Sequence, residues 1–207
     1  MSLVRCSPGL ASALGSVLVL LLAGSSSPAG AHPHVWITAV TTFLFEGPRL
    51  VGLRHRWQFD ELFSSFVIGE HDADGNGVFD PDELAGVREG AFSNLAEYGY
   101  FTHARIAGEA IELDEVVDFQ ASIADGVLTY AFTLPLPEPV DPAGVSFAAG
   151  VYDPEYYVEV LLDPEDPVRF AGMEPGACIF DIREDADHPI YFGMVYPLVI
   201  TLQCAVS

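Results

Sequence analysis

The chain has no lysine, and its 8 basic residues are all arginine. Against them stand 30 acidic residues, which give a formal net charge of -22. Binding to DNA, RNA or an anionic lipid surface depends on basic side chains that neutralise phosphates, and this chain would repel such partners. The charge therefore excludes nucleic acid as a partner and favours cations.

Long hydrophobic runs are also scarce, because the chain has only one, near its amino terminus. A short positive start at residues 1–5 precedes an apolar stretch at 10–23, and Ala29-Gly30-Ala31 follows. This order is typical of a secretory signal peptide, with small residues before the cleavage site. We expect cleavage after Ala31, and an uncleaved membrane anchor is the alternative. The prediction is a signal peptide at 1–31 and a single periplasmic domain at 32–207.

Cysteine is rare, with 3 residues in the whole chain. Cys6 would leave with the signal peptide, so that Cys178 and Cys204 remain in an oxidising compartment. Two cysteines in such a compartment are expected to form a disulfide. A redox site or a thiolate metal site is the alternative, which the lack of a close Cys-x-x-Cys pair disfavours.

Hydrophobic periodicity divides the rest of the chain into short strands and two helices. Residues 35–45 and 50–59 are rich in β-branched and aromatic side chains around a Glu-Gly-Pro turn, which predicts a hairpin. Helical spacing begins at Asp60, and a second helix is predicted from Pro81 to about Tyr98. Further strands are predicted at 100–106, 111–123, 127–134, 145–151, 156–162, 177–183 and 198–204. The expected class is α+β, a mostly antiparallel β-sheet or sandwich with a helix-loop-helix inserted at about 60–98.

Between the two predicted helices, residues 72–83 read Asp-Ala-Asp-Gly-Asn-Gly-Val-Phe-Asp-Pro-Asp-Glu and fill every position of the EF-hand loop pattern. Oxygen ligands at this spacing select Ca²⁺ over zinc or copper, and Gly77 permits the sharp turn at the sixth position. Only one such loop is present, so a structural or weak extracytoplasmic site is expected rather than a switch. The expected ligands are Asp72, Asp74, Asn76, the carbonyl of Val78, Asp80 and Glu83.

Two simpler interpretations of the loop compete with Ca²⁺ binding. Asp80, Pro81 and Glu83 also form a good helix start, as N-cap, first helical residue and capping-box partner. An acidic loop in such an acidic chain can also be merely solvated. Neither interpretation explains the order Asp-x-Asp-x-Asn-Gly, and Ca²⁺ binding is therefore the prediction.

A chain that begins at His32 contains a second group of metal ligands. The α-amine and imidazole of His32 would form a bidentate chelate for Cu, Ni, Co or Zn, and His34 adds a nitrogen two residues on. Pro33 lacks the amide proton that the common amino-terminal copper and nickel motif loses, so that mode is excluded. His55 is expected to complete the site, with His103 a poorer choice. The alternative is a solvated terminus and a core histidine.

Six separated segments and two cysteines resemble one family of bacterial periplasmic proteins. The segments are His-Pro-His-Val-Trp-Ile at 32–37, Leu-Arg-His-Arg-Trp-Gln-Phe-Asp at 53–60, the loop at 72–83, Glu-Tyr-Gly-Tyr-Phe at 97–101, Phe-Thr-Leu-Pro-Leu at 132–136 and Val-Tyr-Asp-Pro-Glu-Tyr-Tyr-Val at 151–158. The family is domain of unknown function one thousand and seven, described as the periplasmic component of an uncharacterised ABC-type transport system.

The resemblance implies an association with metal-ion transport, often of nickel, cobalt or zinc, and no established enzymatic activity. It implies His32, His34 and His55 as transition-metal ligands and residues 72–83 as a calcium-type loop. The resident ions would be Ca²⁺ and one of Ni²⁺, Co²⁺, Zn²⁺ or Cu²⁺. The expected partners are metal ions and a membrane metal transporter or permease.

The expected function is an exported metal-binding accessory protein associated with transition-metal transport, with Ca²⁺ stabilising the scaffold. A periplasmic solute-binding component of an ABC transporter is the alternative, although the chain lacks room for the second large lobe of such proteins. A copper enzyme that uses the amino-terminal histidine is a third interpretation. No general base, nucleophile or substrate cleft is recognisable in the sequence, so no enzymatic activity is expected.

Overall fold

Eleven β-strands and two short α-helices form the part of the chain that the structure, a computed structural model, describes, namely residues 33–205. These residues belong to one unit, His32–Ser207. The helices are α1 (Glu61–His71) and α2 (Pro81–Val87). The strands are β1 (Val35–Glu46), β2 (Arg49–Phe59), β3 (Thr102–Ile106), β4 (Glu109–Ile111), β5 (Val117–Ala124), β6 (Val127–Val140), β7 (Phe147–Val151), β8 (Val158–Leu162), β9 (Val168–Ala171), β10 (Cys178–Glu184) and β11 (Leu198–Cys204).

The strands form two sheets. The first has the order β5-β6-β2-β1-β8, with β9 also paired to β1, and the second has the order β10-β11-β7-β3-β4. Strand β1 runs antiparallel to β2 on one side. On its other side it runs parallel to β8 and then to β9. The first strand of the described chain therefore pairs directly with strands that come more than 100 residues later.

Side chains that alternate along the strands form the core. Ile37, Ala39 and Phe43 of β1 are almost completely buried because they share one face of the strand. The ring of Phe43 meets that of Phe147 on β7 edge to face, with ring centroids 6.1 Å apart. Trp57 of β2 is fully buried and stacks on Phe101. Each such large apolar side chain contributes roughly 2–3 kcal/mol by burial.

The coarse prediction agrees with the structure, which is mostly β-sheet with a few helices and fits a mixed α+β class. The hairpin of β1 and β2 is present, and β11 has the predicted bounds. Strand β9 has no counterpart in the prediction. The predicted strand at 111–123 is divided, because the chain leaves the sheet between β4 and β5.

The second helix is shorter than the predicted span to about Tyr98. The α-helix ends at Val87, and a π-helical turn (Arg88–Phe92) and a 3-10 segment (Ser93–Phe101) continue the chain. Gly86 and Gly90 lower helix propensity at this boundary, which helps to explain the early end. Tyr98 has non-helical backbone angles inside the 3-10 segment.

Cys178 and Cys204 form the predicted disulfide. They are directly opposite each other in the antiparallel pair β10 and β11, and Cys178 is buried. Within the described residues, no helix combines the length and apolar character needed to cross a membrane. The predicted signal peptide at 1–31 lies outside the described residues.

Candidate metal centre

The acidic loop lies between two helices whose ends are defined by acidic caps. Asp60 begins α1, because its Oδ1 accepts hydrogen bonds from the amides of Leu62 and Phe63, each 2.9 Å long. Helix α1 ends at His71, directly before Asp72. Helix α2 begins again after Asp80. Residues 72–83 thus connect the two helices, in the order that the sequence pattern predicts.

Three carboxylates of the loop converge. One oxygen from each of Asp72, Asp74 and Glu83 lies within 4.8 Å of the other two. These residues occupy the first, third and twelfth positions of the EF-hand pattern, so residues that are distant in the loop meet in space. Asp80, expected at the ninth position, is outside this cluster of described residues, since its Oδ1 accepts from the amides of Asp82 and Glu83.

Amides of the loop hold the carboxylates in place. Asp72 accepts from the amides of Asn76 and Gly77 at 3.1 and 3.0 Å. Asp74 accepts from the same Asn76 amide and from its side-chain amide. Gly77 has a left-handed backbone with φ of 78°, a conformation that glycine adopts without strain. The loop therefore folds back on its own acidic side chains.

Glu83 ties the two ends of the loop together. Its Oε1 accepts from the amide of Ala73 at 2.7 Å, and its Oε2 accepts from the amide of Asp80 at 3.0 Å. The second bond completes a capping box at the start of α2. The helix-start interpretation of Asp80 and Glu83 is thus correct for those two residues, but it does not account for the approach of Asp72 and Asp74.

The donor set suits a hard divalent cation. Its groups are carboxylate oxygens, and oxygen ligands in flexible loops match Ca²⁺. Asn76, also expected as a ligand, accepts a hydrogen bond at Oδ1 from the amide of Val78, 2.8 Å away. Asp72, Asp74 and Glu83 would hold the ion by charge neutralisation. Like charges this close repel one another, and a divalent cation would offset that repulsion.

The pattern of the loop does not reveal that Gly86 and Gly90 leave room for the ring of His71. A Cβ atom on Gly86 or Gly90 would lie 3.2 Å from ring atoms of His71. The ring therefore sits against α2 and the following turn at a place where only glycine gives it full room. In the sequence, the signal for this contact was the spacing of four residues between Gly86 and Gly90, which puts them on one face of a helix.

Two of the three histidines predicted as transition-metal ligands, His34 and His55, do not come together. His32 lies outside the described residues, and His34 is exposed next to Tyr157, with ring centroids 4.7 Å apart. His55 is paired in register with Thr41, seven residues along β1 from His34. Seven residues of extended strand span about 23 Å, too far for one ion. His55 is therefore a core residue rather than the expected third ligand.

His55 connects the two sheets by hydrogen bonds. Its Nδ1 lies 3.1 Å from Oγ1 of Thr41 on β1, and its Nε2 lies 3.2 Å from Oγ1 of Thr102 on β3. The Thr102 hydroxyl donates to the carbonyl of Tyr100, so it accepts from Nε2–H. Thr41 then donates to Nδ1, which defines a neutral tautomer. Complete burial lowers the pKa of His55 to about 3.

His103, the poorer candidate, also has a structural role. Its ring stacks on Tyr152 with centroids 3.9 Å apart, and its Nε2 lies 3.0 Å from the carbonyl oxygen of Tyr152. Burial of the ring lowers the pKa of His103. Neither interaction brings it toward His34.

Comparison with known proteins gives a family and two relatives. A family model described as "Protein of unknown function (DUF1007)" matches residues 17–192. An uncharacterised 15.5 kDa protein in the trpE 3′ region of Spirochaeta aurantia is 34% identical over 131 residues, which cover 63% of this chain and 93% of that protein. An uncharacterised protein of Haemophilus influenzae is 27% identical over 145 residues, 69% of this chain and 68% of that protein. These descriptions name no ligand and no activity.

Proposed function

Because the chain belongs to the family described as protein of unknown function (DUF1007), which assigns no activity, we propose from its acidic loop that it is a Ca²⁺-binding protein. The match of the family model to residues 17–192 confirms the family resemblance seen in the sequence. The observation that supports the proposal is the convergence of Asp72, Asp74 and Glu83 in a loop between two helices. A single loop of this kind fits an affinity of about 10⁻⁴ to 10⁻³ M, typical of extracellular modules.

Ca²⁺ in this loop would stabilise the helix-loop-helix rather than catalyse a reaction. The ion would link the start of the loop at Asp72 to the start of α2 at Glu83. Closing that connection favours the folded state by the free energy of binding, since the unfolded loop does not hold three carboxylates together.

The test of the loop is the variant Glu83→Gln. Glutamine keeps a side-chain oxygen for the capping box but removes the negative charge at the twelfth position, so Ca²⁺ affinity should fall by about tenfold or more. Isothermal titration calorimetry with CaCl₂ measures the change.

Glu89→Gln is the matched control, because it makes the same charge change at an exposed site just after α2. It should leave Ca²⁺ affinity nearly unchanged. If the wild-type protein gives neither binding heat nor a melting shift at millimolar Ca²⁺, the loop is only a capped turn and the proposal fails.

The second part of the proposal is that the protein is exported and serves as an accessory to transition-metal transport. It is supported by the order of His32 and His34 in the sequence and by what the family resemblance implies. His55 has no part in it, since its ring nitrogens are bonded within the core. The metal would be Ni²⁺, Co²⁺, Zn²⁺ or Cu²⁺, held by the terminal amine and the two imidazoles.

An amino-terminal extension tests this part. Adding one alanine before His32, in a chain that otherwise starts there, moves the α-amine out of the chelate ring but keeps every side chain. Nickel affinity should fall strongly, while Ca²⁺ binding and the melting temperature stay the same. Equal nickel affinity with and without the extension would eliminate the terminal chelate.

A further inference from the structure

A cavity of about 790 Å³ lies beside the first sheet. Its bottom is closed by side chains that are at most 1% exposed, among them Ile37 of β1, Trp57 of β2 and Tyr130 of β6. Its walls come from the 3-10 segment, the loop before β8 and residues 191–192. The volume falls within the range of small-molecule sites. None of residues 72–83, all of them described, lines the cavity.

The walls that a ligand can contact are largely aromatic. Half of the described residues that line the cavity carry an aromatic ring. Phe63 and Tyr191 are half-buried, whereas Tyr98, Tyr157 and Phe192 are exposed. The faces of such rings carry partial negative charge, and several rings around one pocket are a common way for proteins to recognise organic cations.

The charge of the walls has one sign. Asp153 and Glu155 line the cavity, and no described arginine or histidine does. The chain has no lysine that could supply a positive charge instead. Among the described residues, neither carboxylate belongs to an ion pair. An anion would therefore be repelled here, whereas a cation would meet an uncompensated negative charge.

Asp153 holds in place the segment that carries Glu155. Its carboxylate accepts hydrogen bonds from the amides of Glu155, Tyr157 and Val158, at 2.9, 2.9 and 3.0 Å. The side chain of Asp153 is buried, whereas Glu155 is exposed. Glu155 is therefore the carboxylate that a ligand can reach. Because its segment is already fixed, a cation that pairs with Glu155 does not have to order that segment first.

Strained backbone is found in two of the walls. Phe101, Tyr191 and Phe192 all line the cavity and have left-handed φ of 50°, 46° and 57°. Such conformations are rare outside glycine, persist only where the surroundings hold them, and cluster at ligand sites. The strain supports a binding role for these walls.

We propose that the cavity binds a small organic monocation with an apolar body, of the aryl- or alkylammonium class, whose positive charge pairs with the carboxylate of Glu155. The rings of the walls would contact the apolar body. The site is separate from the acidic loop and does not depend on Ca²⁺ binding there.

The test compares two compounds of the same shape. One is (2-naphthylmethyl)trimethylammonium, and the other is 2-neopentylnaphthalene, in which carbon replaces the charged nitrogen. Equilibrium dialysis at about 0.15 M NaCl, which screens the general attraction of an acidic surface, measures binding. The wild-type protein should bind the cation saturably. Glu155→Gln should weaken cation binding by about 2- to 5-fold and leave binding of the neutral compound unchanged.

The anion 2-naphthylmethanesulfonate reverses the charge on the same ring system. It should bind the wild-type protein at least about tenfold more weakly than the cation, because it would lie beside Glu155 without a compensating positive charge.

Three variants serve as controls. Glu89→Gln makes the same charge change at an exposed site that does not line the cavity, and should bind the cation like wild type. Phe192→Ala removes a ring that is 94% exposed, and should weaken binding of both the cation and the neutral compound by about 3-fold or more at an unchanged melting temperature. Glu83→Gln should bind both compounds like wild type, so a failed loop and a failed cavity are distinguishable.

Several results would overturn the proposal. One is the absence of saturable cation binding to the wild-type protein. Equal cation affinity in wild type and Glu155→Gln would mean that the cavity selects neutral apolar molecules. Equal weakening by Glu155→Gln and Glu89→Gln would show that the cation binds only to the acidic surface in general. Dimers in light scattering that Phe192→Ala abolishes would assign the cavity to a second copy of the chain.

Discussion

Replacing both Cys178 and Cys204 with alanine should lower the free energy of unfolding by about 3–4 kcal/mol. The bond joins residues 26 positions apart, and in the chain-entropy model it stabilises the protein by restricting the unfolded chain. For a chain of this size, the melting temperature should fall by roughly 7–14 °C. Circular dichroism during heating measures the shift.

Reduction of the wild-type protein gives an internal control for this prediction. The reduced wild type should melt close to the double variant, and reductant should not affect the variant at all. Ca²⁺ binding should persist in the reduced wild type and in the double variant, because β10 and β11 pair with each other and with β7 and not with the acidic loop. A shift of less than about 2 °C would mean that the loop closure contributes little, which would contradict the entropic estimate.

The stability of the protein should fall as pH drops from 6.5 toward 3, and His55 should account for about 2.7 kcal/mol of that loss at pH 4.5. The folded protein keeps His55 neutral, because burial lowers its pKa to about 3. In the unfolded chain the imidazole takes up a proton below about 6.5. Between pH 6.5 and 3, only the unfolded chain binds a proton at His55, and that proton stabilises the unfolded state. The contribution of His55 to folding stability is therefore complete above about pH 6.5 and decreases as the pH falls below it.

The His55→Gln variant isolates this effect. Glutamine can still donate and accept a hydrogen bond between Thr41 and Thr102 but does not titrate. Urea unfolding at pH 7.5 and 4.5 should show a smaller loss for His55→Gln than for wild type, by about 2–3 kcal/mol. His34→Gln, at an exposed histidine, should lose as much stability as wild type. Equal losses in wild type and His55→Gln would mean that His55 is accessible to protons in the folded state.

The acidic loop was accessible to sequence reasoning because its information is local. The pattern occupies the consecutive residues 72–83. Three of its expected ligands, Asp72, Asp74 and Glu83, lie close together in the structure. The alternation of apolar and polar residues along β2 likewise predicts that His55 is on the apolar face, and His55 is buried. Local spacing determines both features.

Features that depend on register and distant pairing were not accessible. Whether His55 could reach His34 depends on which residue of β1 lies opposite it, and that residue is Thr41. The parallel pairing of β8 and β9 with β1 leaves no trace in local periodicity. The cavity of about 790 Å³ beside Trp57 and Tyr130 is lined by residues from five separate parts of the chain, at 35–63, 91–101, 130, 153–158 and 191–192, so no single segment indicates it. Sequence patterns describe single elements, whereas these properties arise between elements.

The position of β1 has a consequence for how the protein forms. Val35, at the start of the first strand, pairs with Val158, and Thr41 pairs with Val168. A nascent chain that has not yet reached residue 158 holds a twelve-residue strand with one edge unpaired. Such an edge is a template for association with other chains, and pairing over so long a separation is slow. Truncation before β8 should therefore yield aggregates rather than a smaller folded domain.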